Sequence, residues 1–161
     1  MPERRELIKL STLDPRMPLV LDTHELGRRP GAMQHIQRDV PAPADLGIGG
    51  VVGVPEGAAI ALDLRLEAVM EGVLVSGWAR APLAGECARC LDAIDSMTAV
   101  DFQELYVYPD RADELDAAAD DDVRVVDGEL IDLEPTLRDA VVLSLPRAPL
   151  CRDDCPGLCP H

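Results

Sequence analysis

Aromatic side chains are scarce in this chain. Its 161 residues include one Trp, two Tyr and one Phe, although the hydrophobic share of the composition reaches 47%. A chain of this length and apolar content is long enough to bury one hydrophobic core. That core must be built mainly from Leu, Val and Ala.

Long apolar runs are missing as well. No segment approaches the roughly 18 apolar residues of a membrane-spanning helix. Residues 1–10, MPERRELIKL, lack the apolar centre of a signal peptide. We therefore predict a cytoplasmic protein. In that compartment, closely spaced cysteines are more often metal ligands or redox pairs than disulfides.

Positive charge is in the minority. The chain has 15 Lys and Arg against 30 Asp and Glu, a net charge of −15, which argues against generic binding to nucleic acid. Residues 1–38 hold seven cations and five acids, so residues 39–161 hold eight cations and 25 acids, a balance of −17. If RNA is contacted, we expect the N-terminal arm to contact it. The alternative is an ordinary solvated surface.

No catalytic constellation is recognisable. The histidines His24, His35 and His161 have no evident Ser or Cys partner. The glycine-rich stretch 49–53 precedes neither a Lys-Ser/Thr pair nor a helix start, which argues against a phosphate-binding loop. We predict that the protein is not an enzyme.

Period-two alternation is the clearest structural signal. Ile60, Leu62, Leu64 and Leu66 alternate with more polar residues, which predicts a half-buried strand. Strands predicted over 73–81 and 94–102 complete an antiparallel meander, with a cysteine-bearing turn between the last two. Shorter strands are predicted at 18–22, 33–40 and 123–126, and a loop at 41–50.

One helix is predicted near the C-terminus. Asp132 suits an N-cap, Pro135 suits the first turn, and Pro146 ends the helix. Its apolar stripe repeats at every fourth residue: Leu133, Leu137, Val141 and Leu145. The predicted class is α+β, a mainly antiparallel β-sheet meander with one C-terminal packing helix and a cysteine-rich tail.

We divide the chain into three parts. Residues 1–16 are expected to form a flexible leader and residues 17–150 a single α+β domain. A mobile acidic loop is expected near 110–122, which holds seven acids. Residues 151–161 form a cysteine-rich tail. Because the sequence ends Cys159-Pro160-His161 where another cysteine is expected, we expect the tail to be truncated within its last motif.

Five cysteines fall into two groups: Cys87 and Cys90, then Cys151, Cys155 and Cys159. Three interpretations of the first pair remain open. The pair binds zinc with two C-terminal cysteines or His161, forms a redox dithiol, or has no chemistry. A turn between two strands favours zinc, because a redox pair usually needs a helix N-terminus to lower its thiolate pKa. The C-x3-C-x3-C spacing of the tail is not that of a standard zinc knuckle.

Several motifs together resemble the YceD family of bacterial and plastid proteins. They are LGRRPG at 26–31, GECARCL at 85–91, IDL at 131–133, LSLPRAP at 143–149 with the cysteine at 151, and CPGLCP at 155–160. The combination of the C-x-R-C and GLCP elements is specific, and the resemblance runs from about residue 18 to the end.

The resemblance implies a non-enzymatic factor that promotes synthesis, processing or accumulation of large-subunit (23S) ribosomal RNA and so ribosome biogenesis. Within this interpretation, Arg28, Arg29 and Arg89 are candidate contacts to RNA or a partner. The alternatives are an acidic adaptor for a basic ribosomal protein and, more distantly, a thiol–disulfide oxidoreductase. No membrane or small-molecule substrate is expected.

Overall fold

A computed structural model of the chain describes residues 13–114, 123–146, 148–152 and 154–157. The elements are strands β1 (Val20–Asp22), β2 (Met33–Pro41), β3 (Leu46–Ile48), β4 (Val52–Val54), β5 (Ala59–Ala68), β6 (Gly72–Glu86), β7 (Ala93–Val107), β8 (Arg124–Val125) and β9 (Leu130–Asp132), and helices α1 (Pro109–Glu114) and α2 (Glu134–Ser144). The predicted α+β class, with a mainly antiparallel sheet and a C-terminal helix, is confirmed.

The seven-stranded sheet follows the order β2-β5-β6-β4-β3, with β7 paired to β6 and β8 to β7. The contacts between residues group the chain into two compact units. One contains the described residues of 1–36, 64–76 and 103–134, and the other those of 37–63, 77–102 and 135–161. The first unit also holds a two-stranded antiparallel sheet, β1 with β9.

The predicted meander of β5, β6 and β7 is confirmed, and its strands are longer than predicted. All four alternating residues of β5, Ile60 to Leu66, are at most 2% exposed, as period two requires. Strands β6 and β7 each run for 15 residues. A hydrogen bond from the Cys87 N–H to the Asp92 carbonyl (2.8 Å) continues their pairing up to the turn.

Helix α2 also confirms the sequence prediction. The Asp132 carboxylate accepts a hydrogen bond from the Glu134 N–H at 3.1 Å, which satisfies a backbone donor at the helix start. The four residues of the predicted stripe are all buried: Leu133, Leu137, Val141 and Leu145. The helix therefore packs through one apolar face.

One loop prediction is wrong. The segment 41–50 contains β3, which pairs with β4. Glycines make this hairpin possible, because a Cβ on Gly47 (φ +152°) would lie 2.4 Å from the Gly53 Cα. The mobile acidic loop expected near 110–122 stays a prediction; its first residues belong to α1, which ends at Glu114. Residues 115–122, and residues 1–12 of the predicted leader, lie outside the described residues.

Candidate metal centre

The turn between β6 and β7 presents two cysteines. It occupies residues 87–92 and closes with hydrogen bonds from the Cys87 N–H to the Asp92 carbonyl (2.8 Å) and from the Leu91 N–H to the Cys87 carbonyl (3.0 Å). Leu91 adopts a φ of +63°, in the left-handed region. This compact turn brings the side chains of Cys87 and Cys90 to the same place.

The C-terminal segment is tied to this turn by its backbone. The Ala88 N–H donates to the Pro149 carbonyl at 2.7 Å. Nη1 of Arg89, the next residue of the turn, donates to the Cys155 carbonyl at 2.8 Å. These two bonds hold the C-terminal segment at Pro149 and at Cys155, and so position Cys151 and Cys155 beside the turn. Sequence reasoning missed both contacts, although Pro149 lies in a motif that carried the resemblance.

Four sulfur atoms meet at this point. The Sγ atoms of Cys87, Cys90, Cys151 and Cys155 all lie within 4.8 Å of one another. The Cys87–Cys155 and Cys90–Cys151 pairs are both separated by 3.6 Å, far longer than the roughly 2.05 Å of a disulfide. All four are therefore free cysteines. Cys87 and Cys155 are buried, while Cys151 is exposed.

Three of the thiols, those of Cys87, Cys90 and Cys151, have shifted pKa values. The pKa of Cys87 is lowered to about 6, chiefly because the Cys90 N–H donates to its sulfur, against the opposing effect of desolvation. At Cys90 a hydrogen bond from the Asp92 backbone favours the thiolate, but desolvation and the neighbouring thiols raise its pKa to about 12. The pKa of Cys151 is raised, first by Cys155. A cluster of thiols around a favoured thiolate is suited to binding a metal cation.

The structure therefore brings together four of the five predicted cysteine ligands. Cys159 and His161 lie outside the described residues. The four that meet come from two segments, and Cys90 and Cys151 lie 61 positions apart in the chain. This arrangement can hold a metal ion.

The three candidate contact arginines have different surroundings. The Arg28 guanidinium lies 3.9 Å from the Tyr108 ring centroid and donates to both Asp110 carboxylate oxygens at 2.9 and 3.1 Å. Arg29 is exposed. Arg89 is exposed and donates to the Cys155 carbonyl through Nη1, so it also supports the cysteine cluster.

The fold and site define an α+β protein with a four-cysteine centre. The family model described as "Large ribosomal RNA subunit accumulation protein YceD" matches residues 75–161, which include all five cysteines. The chain belongs to the YceD family, which is named for a ribosome-related role. In the stretches that the structure describes, neither helix is long and apolar enough to cross a membrane.

Curated relatives come from mycobacteria. An uncharacterized protein of Mycobacterium tuberculosis is 49% identical over 144 residues, covering 89% of this chain and 69% of the relative. An uncharacterized protein of Mycobacterium leprae is 48% identical over 142 residues, covering 88% and 64%. No solved structure matches the chain significantly.

Proposed function

We propose that this protein is a non-enzymatic factor that promotes accumulation of large-subunit (23S) ribosomal RNA by acting on the RNA or its precursor particle during ribosome biogenesis. Membership of the YceD family is the observation that carries this proposal. The compact cysteine centre supports a binding role, because it fixes the geometry of a turn and of the C-terminal segment.

Zinc is the metal that we propose for this centre. Four thiolates around a zinc ion at about 2.3 Å form a tetrahedron whose edges measure about 3.8 Å. The Cys87–Cys155 and Cys90–Cys151 sulfur pairs, at 3.6 Å, are near that edge length. A set of four thiolates leaves no open position for substrate, as in structural rather than catalytic zinc sites. Its role would then be to hold the two segments together.

A redox role for the CxxC pair has less support. Reactive cysteines are usually partly exposed and lie next to a helix N-terminus or a cation. Here Cys87, the thiol with the lowered pKa, has no exposed surface, and its turn joins two strands. With zinc bound, neither thiol of the pair should react with an alkylating reagent at a rate above that of an ordinary thiol.

Gradient sedimentation of a cell lysate tests the main proposal. The protein should migrate with large-subunit precursors and retain their RNA through a high-salt wash. Migration only as a small free protein, without RNA, would contradict it.

The surroundings of Arg28 supply a matched pair of variants. We propose that Arg28 and Arg29 contact RNA or a ribosomal partner. Arg28→Ala and Asp110→Ala both remove the Arg28–Asp110 ion pair, but only the first removes the cation. An RNA contact predicts that Arg28→Ala, alone or with Arg29→Ala, reduces co-sedimentation while Asp110→Ala does not. Equal losses would indicate that the ion pair matters only for folding.

Arg89 is the third proposed contact, and its test needs a second readout. Arg89→Ala removes a cation and also a hydrogen bond to the segment that carries Cys155. Metal content should therefore be measured with co-sedimentation. Reduced binding with metal retained supports a direct contact, whereas joint loss assigns Arg89 to holding the cysteine centre.

The second candidate function is an acidic adaptor that binds a basic ribosomal protein and never touches RNA. The balance of eight cations and 25 acids in residues 39–161 favours it, because acidic surfaces attract basic partners. Crosslinking in purified precursor particles separates the two functions. RNA crosslinks in the N-terminal arm support direct contact, and crosslinks to proteins alone support the adaptor.

A further inference from the structure

Strand β7 has an open edge along its first nine residues, 93–101. One edge of β7 pairs with β6, and the other pairs with β8 through Tyr106 and Val107. Within the residues that the structure describes, no strand pairs with that second edge along 93–101. An edge of this kind presents backbone groups that a further strand can bind.

The pairing register fixes which residues face the open edge. Asp92 accepts the hydrogen bond from the Cys87 N–H, so its backbone faces β6. In an antiparallel pair, such residues alternate with residues whose backbone groups point away. The residues facing away are the odd-numbered ones: Ala93, Asp95, Met97, Ala99 and Asp101. The same parity holds further along, where the Val107 carbonyl accepts the Val126 N–H at 2.9 Å from the β8 side.

The side chains of these odd-numbered residues are all exposed. Met97 has 61% of its surface exposed, and Ser96 on the opposite face is exposed as well. None of the five is proline, so the edge offers an unbroken series of N–H donors and C=O acceptors. Both the backbone edge and an apolar side chain are therefore available for binding.

The acidic residues of this strand indicate which kind of segment can bind its edge. Residues 91–105 include Asp92, Asp95, Asp101 and Glu104 and contain no Lys, Arg or His. A second copy would bring the same four acids and no cation to this edge in any register, and pairing about Thr98 would place Asp95 opposite Asp101 twice, where like charges are destabilising. A segment carrying cations would instead place opposite charges across the new pair.

We propose that the open edge of β7, residues 93–101, binds an extended segment of a partner protein that contains Lys or Arg, by strand addition. The backbone of the five odd-numbered residues hydrogen-bonds the segment. Asp95 and Asp101 pair with its cations, and Met97 between them contacts an apolar side chain. This proposal rests on the adaptor function above and names the surface and chemistry of its basic partner.

Two variants test the edge without altering the β6 pairing. Ala99→Pro removes an N–H that faces outward, and proline is tolerated at such edge positions. The double variant Asp95→Asn/Asp101→Asn removes two charges and keeps the strand. Glu25→Gln/Glu56→Gln is the matched control, because it removes two exposed carboxylates from other segments. Thermal melting checks that each variant folds, and the double Asn variant carries the test if the proline variant does not fold.

The experiment measures binding of a short peptide in which lysine alternates with valine and threonine. Amide hydrogen exchange, measured by NMR on the full chain, reports on the edge, because only the odd-numbered amides of 93–101 should gain protection. We expect about tenfold weaker binding for Ala99→Pro, from a lost hydrogen bond and a steric block, and about fivefold for the double Asn variant. The control variant should bind like the wild type.

The other occupants are outcomes that overturn the proposal. It fails if the lysine peptide at millimolar concentration protects no edge amide, or binds the wild type and both edge variants equally. Equal binding of a peptide with glutamate in place of lysine would remove the charge argument. Protection by single-stranded RNA but not by the lysine peptide, or a dimer in sedimentation velocity with the edge amides protected, would assign the edge to RNA or to a second copy.

Failure of this inference is distinguishable from failure of the adaptor function. Co-sedimentation with precursor particles, protein-only crosslinks and an unprotected β7 edge would leave the adaptor function standing and place its contact elsewhere. Binding of the lysine peptide at the β7 edge, without co-sedimentation of the protein with precursor particles, would support the proposed binding surface and contradict the ribosomal role.

Discussion

Metal removal should cost the protein a large part of its stability. The proposed zinc ion, held by the β6–β7 turn and the C-terminal segment, would cross-link positions 61 apart in the chain. The chain-entropy relation for a cross-link closing a loop of that size gives about 4 kcal/mol. With a urea dependence of about 2 kcal/mol per molar, removal by a chelator should lower the unfolding midpoint by about 2 M.

Urea titration followed by circular dichroism, with and without one equivalent of zinc, measures this shift. Cys151→Ser should unfold at the metal-free midpoint whether or not zinc is present. Cys159→Ser is the matched control, since four other cysteines already suffice for a tetrahedral site, and it should keep the zinc-dependent shift. Zinc that binds without moving the midpoint would refute the cross-link, and loss of the shift in Cys159→Ser alone would refute the ligand set.

Three further predictions concern the fold and its ion pair. Leu137→Ala in α2 should destabilise the protein by about 2–5 kcal/mol in urea unfolding, because Leu137 has no exposed surface, and a cost below 1 kcal/mol would show that the site is not well packed. Asp132→Ala should cost about 1 kcal/mol and Asp132→Asn much less, since an amide oxygen can still accept the Glu134 N–H; equal losses would contradict the cap. Desolvation is the largest single influence on Asp110 and raises its carboxyl pKa, but hydrogen bonding and the positive charge of Arg28, a backbone hydrogen bond and the charge of Arg111 together lower that pKa below its usual 3.8 in the folded state. The stabilisation from the ionised Asp110 is therefore present above pH 3.8 and is lost as the pH falls through the folded pKa. Asp110→Asn should flatten that part of the profile of unfolding free energy against pH. An unchanged profile would show that the Arg28–Asp110 pair contributes nothing to stability.

Local patterns predicted the elements whose signals are contained in one segment. Four alternating aliphatic residues identified β5, because a sheet with one buried face imposes period two. The stripe ending at Leu145 and the cap at Asp132 identified α2 in the same way. The strand–turn–strand setting of Cys87 and Cys90 also followed from local alternation on both sides of the turn.

Other features depend on contacts that no local pattern encodes. Strand β1 pairs with β9, so that Val20 lies opposite Asp132, 112 positions along the chain. Strand β3 was predicted as part of a loop because the segment 41–50 is rich in Pro, Ala and Gly, whereas in the structure Gly47 and Gly53 permit close approach of the β3 and β4 backbones. The role of Arg89 in holding the Cys155 carbonyl likewise arises only when the two segments meet.

X-ray absorption at the zinc edge of the purified, zinc-loaded protein tests the central claim most directly. The four cysteines should appear as four sulfur neighbours at about 2.3 Å, with no nitrogen or oxygen in the first coordination sphere. Cys151→Ser should lose one sulfur or the metal altogether, and Cys159→Ser should leave the spectrum unchanged. Two or fewer sulfur neighbours in the wild type, or failure to retain zinc through gel filtration, would contradict the four-cysteine centre.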